Sequence, residues 1–436
     1  MKTPSTREKG RAFSRFGREL KFERRRVFRA MESPINVRSE VGKLNTVLLH
    51  RPGVELENLM PDYLSHQLFD DIPYLIYAQQ EHDTFACTLR QCGVNVMYLK
   101  DLLCEAVNRA GVREDLVNDY VAEAHLYGSY MQEAVKEYLL ALPTDKMFDA
   151  MAGGVRKSQI TKLSKYHLVD YAQEDFPFYA ESMPNLYFTR DPFACLGSGV
   201  IISHMANEIR QRETLFADYI FRYHPVYSKV PHWYERSKSW SIEGGDTLVL
   251  NEKTIAIGMS ERTSPQAIEE VAEKVIYSET GVEKILVIDL PKFRTFMHLD
   301  TVMTMVDVDK FIVHPNIQRS MRSFVITRGT GGRKLDIAET GLPIDEALRQ
   351  VMDQEKITLI RCGGASTIDA AREQWNDGAN TLAVAPGEVI TYIRNHVTNS
   401  ILRDHGITVH EIPSSELSRG RGGPRCMSMP LLRERI

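Results

Sequence analysis

Residues 379–413, ANTLAVAPGEVITYIRNHVTNSILRDHGITVHEIP, contain the pattern that decides the fold. Two runs rich in Val, Ile, Leu and Thr lie on either side of a turn at Gly387, and they predict a pair of strands. A helical pattern follows and ends at Gly406, because glycine readily adopts the left-handed conformation that ends a helix. The run ITVHEIP then predicts a third strand. The segment therefore predicts strand, strand, helix and strand in succession.

Four other segments share parts of this plan. Paired strands are predicted for LNTVLLHRP (44–52), NLYFTRDPFACLGSGVIISH (185–204), GDTLVLNEKTIAIGM (245–259) and LDTVMTMVDVDKFIVHP (299–315). Helix-and-strand pairs follow at SPQAIEEVAEKVIY with KILVIDLP and at PIDEALRQVMD with ITLIRC; Ser264 is expected to cap the first helix and Pro265 to begin it. Five such units indicate a closed repeat architecture, although an ordinary mixed α/β sheet remains an alternative.

Residues 99–175 interrupt this plan with helical spacing. The stretches DLLCEAVNRAG, VREDLVNDYVAEA, SYMQEAVKEYLLAL and TDKMFDAMAGG carry apolar residues on one face and charged residues on the other. We expect an insert of four or five helices with a structural or interfacial role. Residues 32–98 and 176–436 then form the main α/β body.

The composition is that of a globular protein with one unusual segment. The chain of 436 residues is 43% hydrophobic and 26% charged, with a net charge of −4. Residues 1–30 hold eleven Lys and Arg but only three acidic residues, so the rest of the chain is more acidic than the total suggests. An acidic body gives no support for nucleic-acid binding. No stretch approaches the roughly 18 consecutive apolar residues of a membrane helix, so no membrane segment is expected.

The basic segment 1–31 has three interpretations: a disordered tail, a targeting peptide, or sequence upstream of the native start. A secretory signal is disfavoured because no apolar segment follows the charges. A transit peptide is weakly supported, since the segment contains acids and few serines. We favour the third interpretation, because Met31 opens a clean new start, and we leave residues 1–31 out of the fold.

The cysteines include one that differs from the rest. The six cysteines form no C-x-x-C pair and no zinc-binding spacing, so we expect thiols in a reducing compartment, the cytoplasm. Cys426 lies in the run SRGRGGPRCMSMP among Gly, Pro and Arg rather than apolar residues. The neighbouring Arg419, Arg421 and Arg425 are expected to lower the pKa of this thiol and favour the thiolate. An incidental cysteine in a C-terminal tail is the alternative.

Three acidic motifs precede this cysteine. HLD contributes His298 and Asp300, which share a face if the run is a strand and would supply a general acid/base and a cation anchor. EGGD contributes Glu243 before two glycines, and TRDPF places Asp191 before a proline that favours extended backbone. Taken singly, these motifs also fit a solvated strand end, a generic turn and a surface acid. A thiol, a histidine and three carboxylates together suit attack on a cationic carbon.

FTRDPF, EGGD, MHLDTVMTMVD and RGRGGPRCMSMP, in this order and at these separations, resemble the arginine deiminase family. GKLNTVLLHRPG, LFDD, GMSERTS and WNDGANTLAVAPGEVITYIRN match it too, and the resemblance extends from about Asn36 to the C-terminus. It implies an α/β fold, a five-bladed pseudo-symmetric ββαβ propeller with an inserted helical bundle. It also implies hydrolysis of L-arginine to L-citrulline and ammonia through a covalent cysteine intermediate. No metal or organic cofactor and a homo-oligomer, dimer or higher, are further implications.

The resemblance also implies roles for individual residues. Cys426 matches the nucleophile, His298 the general acid/base, Glu243 its orienting partner, and Asp191 and Asp300 the carboxylates that grip the guanidinium. The matching substrate-binding positions are Arg210 and Arg262 for the substrate carboxylate, Asn185 as a polar contact, Phe188 as an apolar wall, and Gly420 with the mobile gating residue Arg421. Arg425 departs from relatives that have histidine before the cysteine, which puts the pKa of the thiol in doubt.

Other functions remain open from the sequence. A deiminase for another guanidine is disfavoured for agmatine, which lacks the carboxylate that Arg210 and Arg262 would bind. An amidinotransferase would pass the same covalent intermediate to an amine. A non-enzymatic propeller would have lost a site residue, and every site position is filled here. A thiol protease needs a Cys–His pair, but the three additional acids suit a cation better than a peptide carbonyl.

Overall fold

One arrangement of three strands recurs five times in the computed structural model, which describes residues 33–160, 168, 171, 176–292, 296–314 and 321–436. The basic segment 1–31 lies outside these residues. The described strands are β1 (Leu44–Leu49), β2 (Asn95–Tyr98), β3 (Val155–Arg156), β4 (Phe178–Ala180), β5 (Phe193–Leu196), β6 (Gly199–Ile202), β7 (His232–Tyr234), β8 (Thr247–Asn251), β9 (Thr254–Met259), β10 (Lys284–Asp289), β11 (Met303–Asp307), β12 (Lys310–Val313), β13 (Ser323–Arg328), β14 (Leu335–Glu339), β15 (Thr358–Arg361), β16 (Leu382–Ala385), β17 (Glu388–Tyr392), β18 (Thr408–Ile412) and β19 (Met429–Arg433).

The five units have the same strand directions. They are β19–β1–β2, β5–β6–β7, β8–β9–β10, β11–β12–β15 and β16–β17–β18. In each unit the middle strand is antiparallel to the first strand and parallel to the third. The hairpin β13–β14 extends the third sheet beyond β10, and β3 pairs with β4. The mixed α/β class predicted from the sequence is confirmed.

Helices connect the second and third strands of the units, because parallel strands need a long crossover. The described α-helices are α1 (Val54–Glu57), α2 (Leu75–Gln91), α3 (Leu99–Ala110), α4 (Arg113–Glu123), α5 (Ser129–Ala141), α6 (Thr144–Gly153), α7 (Glu213–Tyr223), α8 (Pro265–Ile276), α9 (Leu299–Val302), α10 (Ile344–Val351), α11 (Thr367–Trp375) and α12 (His396–Asp404). The crossover helices are α2, α7, α8, α10 and α12.

Local signals in the sequence account for the ends of these helices. The Ser264 side chain accepts a hydrogen bond from the backbone N–H of Ala267, and Pro265 begins α8, as predicted. Such a cap typically stabilises a helix by about 1 kcal/mol. Gly406 follows α12 with φ of 79°, which confirms the predicted helix end.

Two local predictions are wrong. The run 44–52 contains only β1, whose antiparallel partner is β19, so this unit combines strands from distant parts of the chain. Residues 298–302 do not form a strand: His298 precedes the short helix α9, which contains Asp300, and the strand β11 begins only at Met303. The shared-face argument for His298 and Asp300 therefore does not hold.

The helices α3 to α6 lie within the predicted insert, while residues 161–167, 169–170 and 172–175 lie outside the described part of the chain. Their apolar faces do not form a core of their own. Leu103, Tyr120 and Phe148 belong to the same hydrophobic cluster as Ile201 of β6 and Phe216 of α7. These four helices are thus anchored to the sheets by shared burial of apolar surface.

Residues 35–436 form one compact unit, and only Ser33 and Pro34 of the unit 1–34 are described. Within the described ranges, no helix has both the length and the apolar character that crossing a membrane requires.

Candidate active site

The predicted catalytic residues occupy corresponding positions in successive units, just before the first strand. Asp191 precedes β5, Glu243 precedes β8, His298 and Asp300 precede β11, and Cys426 precedes β19. All five are buried. The repeated topology therefore brings together side chains that are far apart in the sequence.

A residue from the remaining unit fixes the cysteine. Asn380, just before β16, accepts a hydrogen bond from the Cys426 backbone N–H at 3.0 Å and donates one to the backbone oxygen of Asp300 at 3.0 Å. The Cys426 thiol lies 3.6 Å from Asp300 Oδ2. Asn380 thus ties the nucleophile loop to the acidic loop. The sequence motifs did not identify Asn380, although it lies in residues 379–413, which decide the fold.

The expected net lowering of the Cys426 pKa is wrong, although Arg425 acts in the expected direction. Burial and nearby carboxylates, including Asp300, raise the pKa of the Cys426 thiol well above its ordinary value, against the opposing charge of Arg425. Arg425 donates to Asp300 Oδ2 at 2.7 Å, and Arg419 and Arg421 bind aspartates elsewhere. Their positive charges are already balanced, so the thiol stays protonated until another cation arrives.

His298 forms a buried ion pair with Glu243. The His298 Nε2 lies 2.8 Å from Glu243 Oε2, and Nδ1 lies 3.8 Å from Asp191 Oδ1. Burial lowers the pKa of His298, but the carboxylates of Asp191 and Glu243 outweigh burial and raise it to about 9. Burial likewise raises the pKa of Glu243, yet Arg262 and His298 bring it down to about 2. At neutral pH the pair is imidazolium and carboxylate.

Asp246, the second acid of EGGD, positions this histidine through the backbone. Its Oδ1 accepts a hydrogen bond from the N–H of Leu299 at 2.9 Å, and its Oδ2 accepts one from the Ser260 hydroxyl at 2.7 Å. Gly245 beside it leaves room for the imidazole, since a Cβ there would lie 2.7 Å from the His298 ring. The sequence reasoning used only the first acid of the motif and missed this one.

Asp191 and Asp300 each have one oxygen that accepts a hydrogen bond from an arginine and one oxygen that accepts none from the described residues. Arg210 Nη1 donates to Asp191 Oδ2 at 2.7 Å, as Arg425 Nη1 does to Asp300 Oδ2. The Oδ1 atoms of both aspartates are buried, and neither has a hydrogen-bond partner among the residues that the structure describes. Leaving a buried acceptor unsatisfied costs about 1–3 kcal/mol. These two oxygens therefore mark where a ligand with several N–H donors would bind.

Arg425 is held from two sides. Besides Asp300, it binds Glu40 through Nε at 3.0 Å and Nη2 at 3.1 Å, and it donates to the backbone oxygen of Thr247. Burial raises the pKa of Glu40, but the charges of Arg425 and Arg190 outweigh burial and lower the pKa to about 2. Glu40 is 385 positions away in the sequence, so no local signal identified it.

The two arginines predicted to bind a substrate carboxylate have different surroundings. Arg210 is buried between Asp191 and Glu213, and its Nη2 donates to Glu213 Oε2 at 2.8 Å. The i, i+3 spacing of Arg210 and Glu213 is the signal that would have revealed this partner. Arg262 donates to Glu243 Oε2 at 3.5 Å and lies at the wall of a cavity.

This cavity of about 320 Å³ is bordered by two of the predicted substrate contacts, Arg262 and Arg421. Its other lining residues are Ser65, Leu68, Ala206, Asn207, Glu261 and Met297. Arg421 has a left-handed backbone with φ of 64°, and its guanidinium carbon lies 3.7 Å from the centroid of the Trp375 ring. Arg421 is paired with Asp70 and Arg262 with Glu243, so these two guanidinium groups offer N–H donors to an anionic group at the cavity rather than unbalanced positive charge.

The remaining predicted contacts are buried, and Phe188 lies against the nucleophile loop. Asn185 donates to the backbone oxygen of Gln67 at 2.8 Å. The Phe188 and Tyr187 ring centroids are 4.0 Å apart. A Cβ at Gly420 would collide with Tyr187 and meet Phe188, so this glycine permits close packing. The contribution of Gly420 is therefore its lack of a side chain, which lets the two aromatic rings pack closely.

Three of the site residues place possible metal-ligand atoms close together. Ligand atoms of Asp191, Glu243 and His298 lie within 4.8 Å of one another. The positive charge in this cluster comes from Arg210, Arg262 and the imidazolium itself. The expectation that the chemistry needs no metal or organic cofactor stays a prediction.

Comparisons with known proteins agree with the family that the sequence motifs resemble. The sequence model of a family described as "Arginine deiminase" matches residues 65–433. Proteins named arginine deiminase from Bacillus cytotoxicus and Clostridium perfringens are 50% identical over 411 residues and 48% identical over 406 residues. The first alignment covers 93% of this chain and 100% of that protein, and the second covers 92% and 98%.

Two solved structures share the fold at low identity. The amidinotransferase SxtG from Microseira wollei aligns with a TM-score of 0.52 at 14% identity, over 92% of this chain and 98% of that chain. The N-terminal domain of ArgZ, an arginine dihydrolase from cyanobacteria, gives 0.51 at 13%, over 89% and 97%. These similarities describe the fold alone.

Proposed function

Because this chain belongs to the arginine deiminase family, it is a hydrolase that converts L-arginine to L-citrulline and ammonia, and we propose that Cys426 carries this reaction through a covalent intermediate. The observation that carries the proposal is the pair of unsatisfied Oδ1 atoms on Asp191 and Asp300, beside a buried thiol. A guanidinium is planar, permanently charged and rich in N–H donors, so it matches two such acceptors.

The proposal extends to the architecture. We propose that the five like units surround one axis as a closed five-bladed propeller, with the catalytic loops at one end of its first strands. The shared strand order of the five units supports this arrangement. Residues 32–98 and 176–436 form this catalytic domain, and residues 99–175 form the helical insert. The shared hydrophobic core of α3 to α6 and the sheets supports a structural role for the insert.

Substrate binding explains how a protonated thiol becomes a nucleophile. Asp191 and Asp300 bind the guanidinium N–H groups through their Oδ1 atoms. Arg262 and Arg421 receive the α-carboxylate at the cavity, whereas Arg210, which was predicted for this role, stays bound to Asp191 and Glu213. The carboxylates that raise the pKa of Cys426 are then neutralised by the substrate. The thiol loses its proton to solvent, and the thiolate forms a bond to the central carbon.

The leaving group and water are handled by His298. Its imidazolium donates a proton to the departing nitrogen, the C–N bond breaks, and ammonia departs. A thiouronium group remains bound to the sulfur of Cys426. The neutral imidazole, oriented by Glu243 at 2.8 Å, then takes a proton from water, and the resulting hydroxide attacks the same carbon. Breaking of the C–S bond releases citrulline, and one arginine and one water yield one citrulline and one ammonia.

The remaining parts of the proposal concern the setting of the enzyme. All six cysteines are free, which fits a reducing compartment such as the cytoplasm. Exposed Tyr74, Ile76 and Tyr77 at the start of α2 offer apolar surface for a homo-oligomer, dimer or higher. Light scattering of the purified protein measures the oligomeric state.

The test is an incubation with L-arginine and no amine acceptor, following citrulline and ammonia together. Equimolar products are expected, and Cys426→Ala is expected to abolish both, while the matched control Cys87→Ala retains them. Asp191→Asn and Asp300→Asn are each expected to lose transition-state stabilisation on the order of 3 kcal/mol. Citrulline production by Cys426→Ala would refute the covalent route, and products that appear only with an added amine would indicate an amidinotransferase.

A further inference from the structure

A second cluster of ligating side chains lies where the end of α2 meets β17 and β18 of the fifth unit. Cys92, Glu388 and His410 each place one ligand atom within 4.8 Å of the others. The His410 Nε2 is 2.7 Å from Glu388 Oε1. All three residues are partly exposed. The cluster plays no part in the reaction described above.

Regular secondary structure holds each member in place. Glu388 lies on β17 and His410 on the adjacent parallel strand β18, where Ile390 pairs with His410. Side chains two residues apart on a strand point to the same face, so Glu388 and His410 share a face across the two strands. The helix α2 packs against β18, and Cys92 ends this helix before the chain turns at Gly93, where φ is 81°.

We propose that Cys92, Glu388 and His410 form a zinc-binding site. One thiolate, one imidazole and one carboxylate are the ligand types that Zn²⁺ takes, and three protein ligands leave a fourth position for water. Softer sulfur and nitrogen ligands disfavour Mg²⁺ and Ca²⁺, which take oxygen ligands. Ligands on two strands and a helix end need only small side-chain movements to surround an ion.

Metal binding would replace the present contact between histidine and glutamate. The ion would bond to His410 Nε2 and Glu388 in place of their 2.7 Å contact. Coordination releases the thiol proton to solvent and leaves a thiolate on the ion.

The site would link α2 to the loop that carries the nucleophile. On α2, Glu81 accepts hydrogen bonds from the backbone N–H groups of Ser415, Glu416 and Leu417, which precede the Cys426 loop. A zinc ion that joins the end of α2 to β17 and β18 would therefore fix the position of the helix that binds the segment before this loop. Because the metal would bind the folded chain and not the unfolded chain, it would stabilise the folded state.

The experiment uses Co²⁺ as a spectroscopic substitute for Zn²⁺ on the full chain. Wild type is expected to bind one equivalent at this site and show thiolate-to-cobalt absorption, which Zn²⁺ abolishes by displacement. Cys92→Ser is expected to lose the band and weaken Zn²⁺ binding at least about tenfold. Cys87→Ser is the matched control on the same helix, and Cys426→Ser excludes the catalytic thiol; both are expected to keep the band.

A second variant guards against a folding defect. His410→Gln retains the thiol but is also expected to weaken Zn²⁺ binding, and thermal unfolding without metal shows whether each variant is folded. Zn²⁺ is expected to raise the Tm of wild type and of Cys87→Ser, but not of Cys92→Ser. The proposal is overturned if wild type shows no band, if the band persists in Cys92→Ser, or if it disappears in Cys426→Ser.

Discussion

Replacing Glu243 by glutamine tests the assigned protonation state of His298. The substitution keeps the size of the side chain and a hydrogen-bond acceptor, but it removes the negative charge that lies 2.8 Å from Nε2. A buried hydrogen bond to a charged group contributes about 1.5–3 kcal/mol, and one pKa unit corresponds to about 1.4 kcal/mol. The pKa of His298, about 9 in the wild type, is therefore expected to fall by about one to two units.

The direct assay is a titration of ¹⁵N-labelled histidines by NMR, with His298 assigned from the His298→Gln spectrum. The rate of citrulline formation should follow the titration, because the leaving nitrogen needs the imidazolium. The alkaline decline of kcat is thus expected to move to lower pH in Glu243→Gln. Glu208→Gln, a change at an exposed glutamate that pairs with His125, is the control and should leave His298 unchanged.

Two results would refute this reasoning. A wild-type His298 that titrates near the ordinary histidine value would mean that the two carboxylates do not outweigh burial. An unchanged pKa in Glu243→Gln would mean that Asp191 alone holds the charge on the imidazole.

Further predictions concern the support of the site. Arg425→Ala leaves Glu40 and Asp300 as unpaired buried carboxylates, so urea denaturation is expected to show a loss of about 3–5 kcal/mol in the free energy of unfolding, and a small loss would contradict the assignment. Gly245→Ala pushes against the His298 ring and should reduce kcat about a hundredfold with less effect on Tm. The raised pKa of His298 contributes up to about 3 kcal/mol of stability that is present below pH 6.5 and lost as pH rises through 9; His298→Gln should flatten this dependence in urea titrations.

The sequence predicted most of the local structure. The hairpins β5–β6, β8–β9, β11–β12 and β16–β17 all lie in the predicted runs, because alternating apolar residues and turn residues are local signals. The pairing of β1 with β19 was not predictable in this way, since nothing local connects residue 44 to residue 433. Residues 298–302 look like a strand from their composition, but Asp246 binds the N–H of Leu299 and favours a helical turn instead.

In the candidate site too, the sequence predicted the features that depend on local motifs but not those that depend on distant residues. Motif order identified Cys426 and its partners, yet the charge state of the thiol depends on which cations are free. Arg425 is neutralised by Glu40 and Asp300, and only the three-dimensional arrangement reveals this. Arginines adjacent in the sequence were therefore a poor guide to the electrostatic potential at the sulfur.

The partnership of β1 with β19 has a consequence for biosynthesis. The ribosome adds β19 after all the other described strands, and the N-terminal region then gains contacts across 397 positions, as between Asn36 and Arg433. Until that moment β1 lacks its antiparallel neighbour, and Cys426 has not joined the residues that precede the other strands. Activity is thus a property of the finished polypeptide: nascent chains arrested before β19 should release no citrulline, and any turnover by them would contradict this order of assembly.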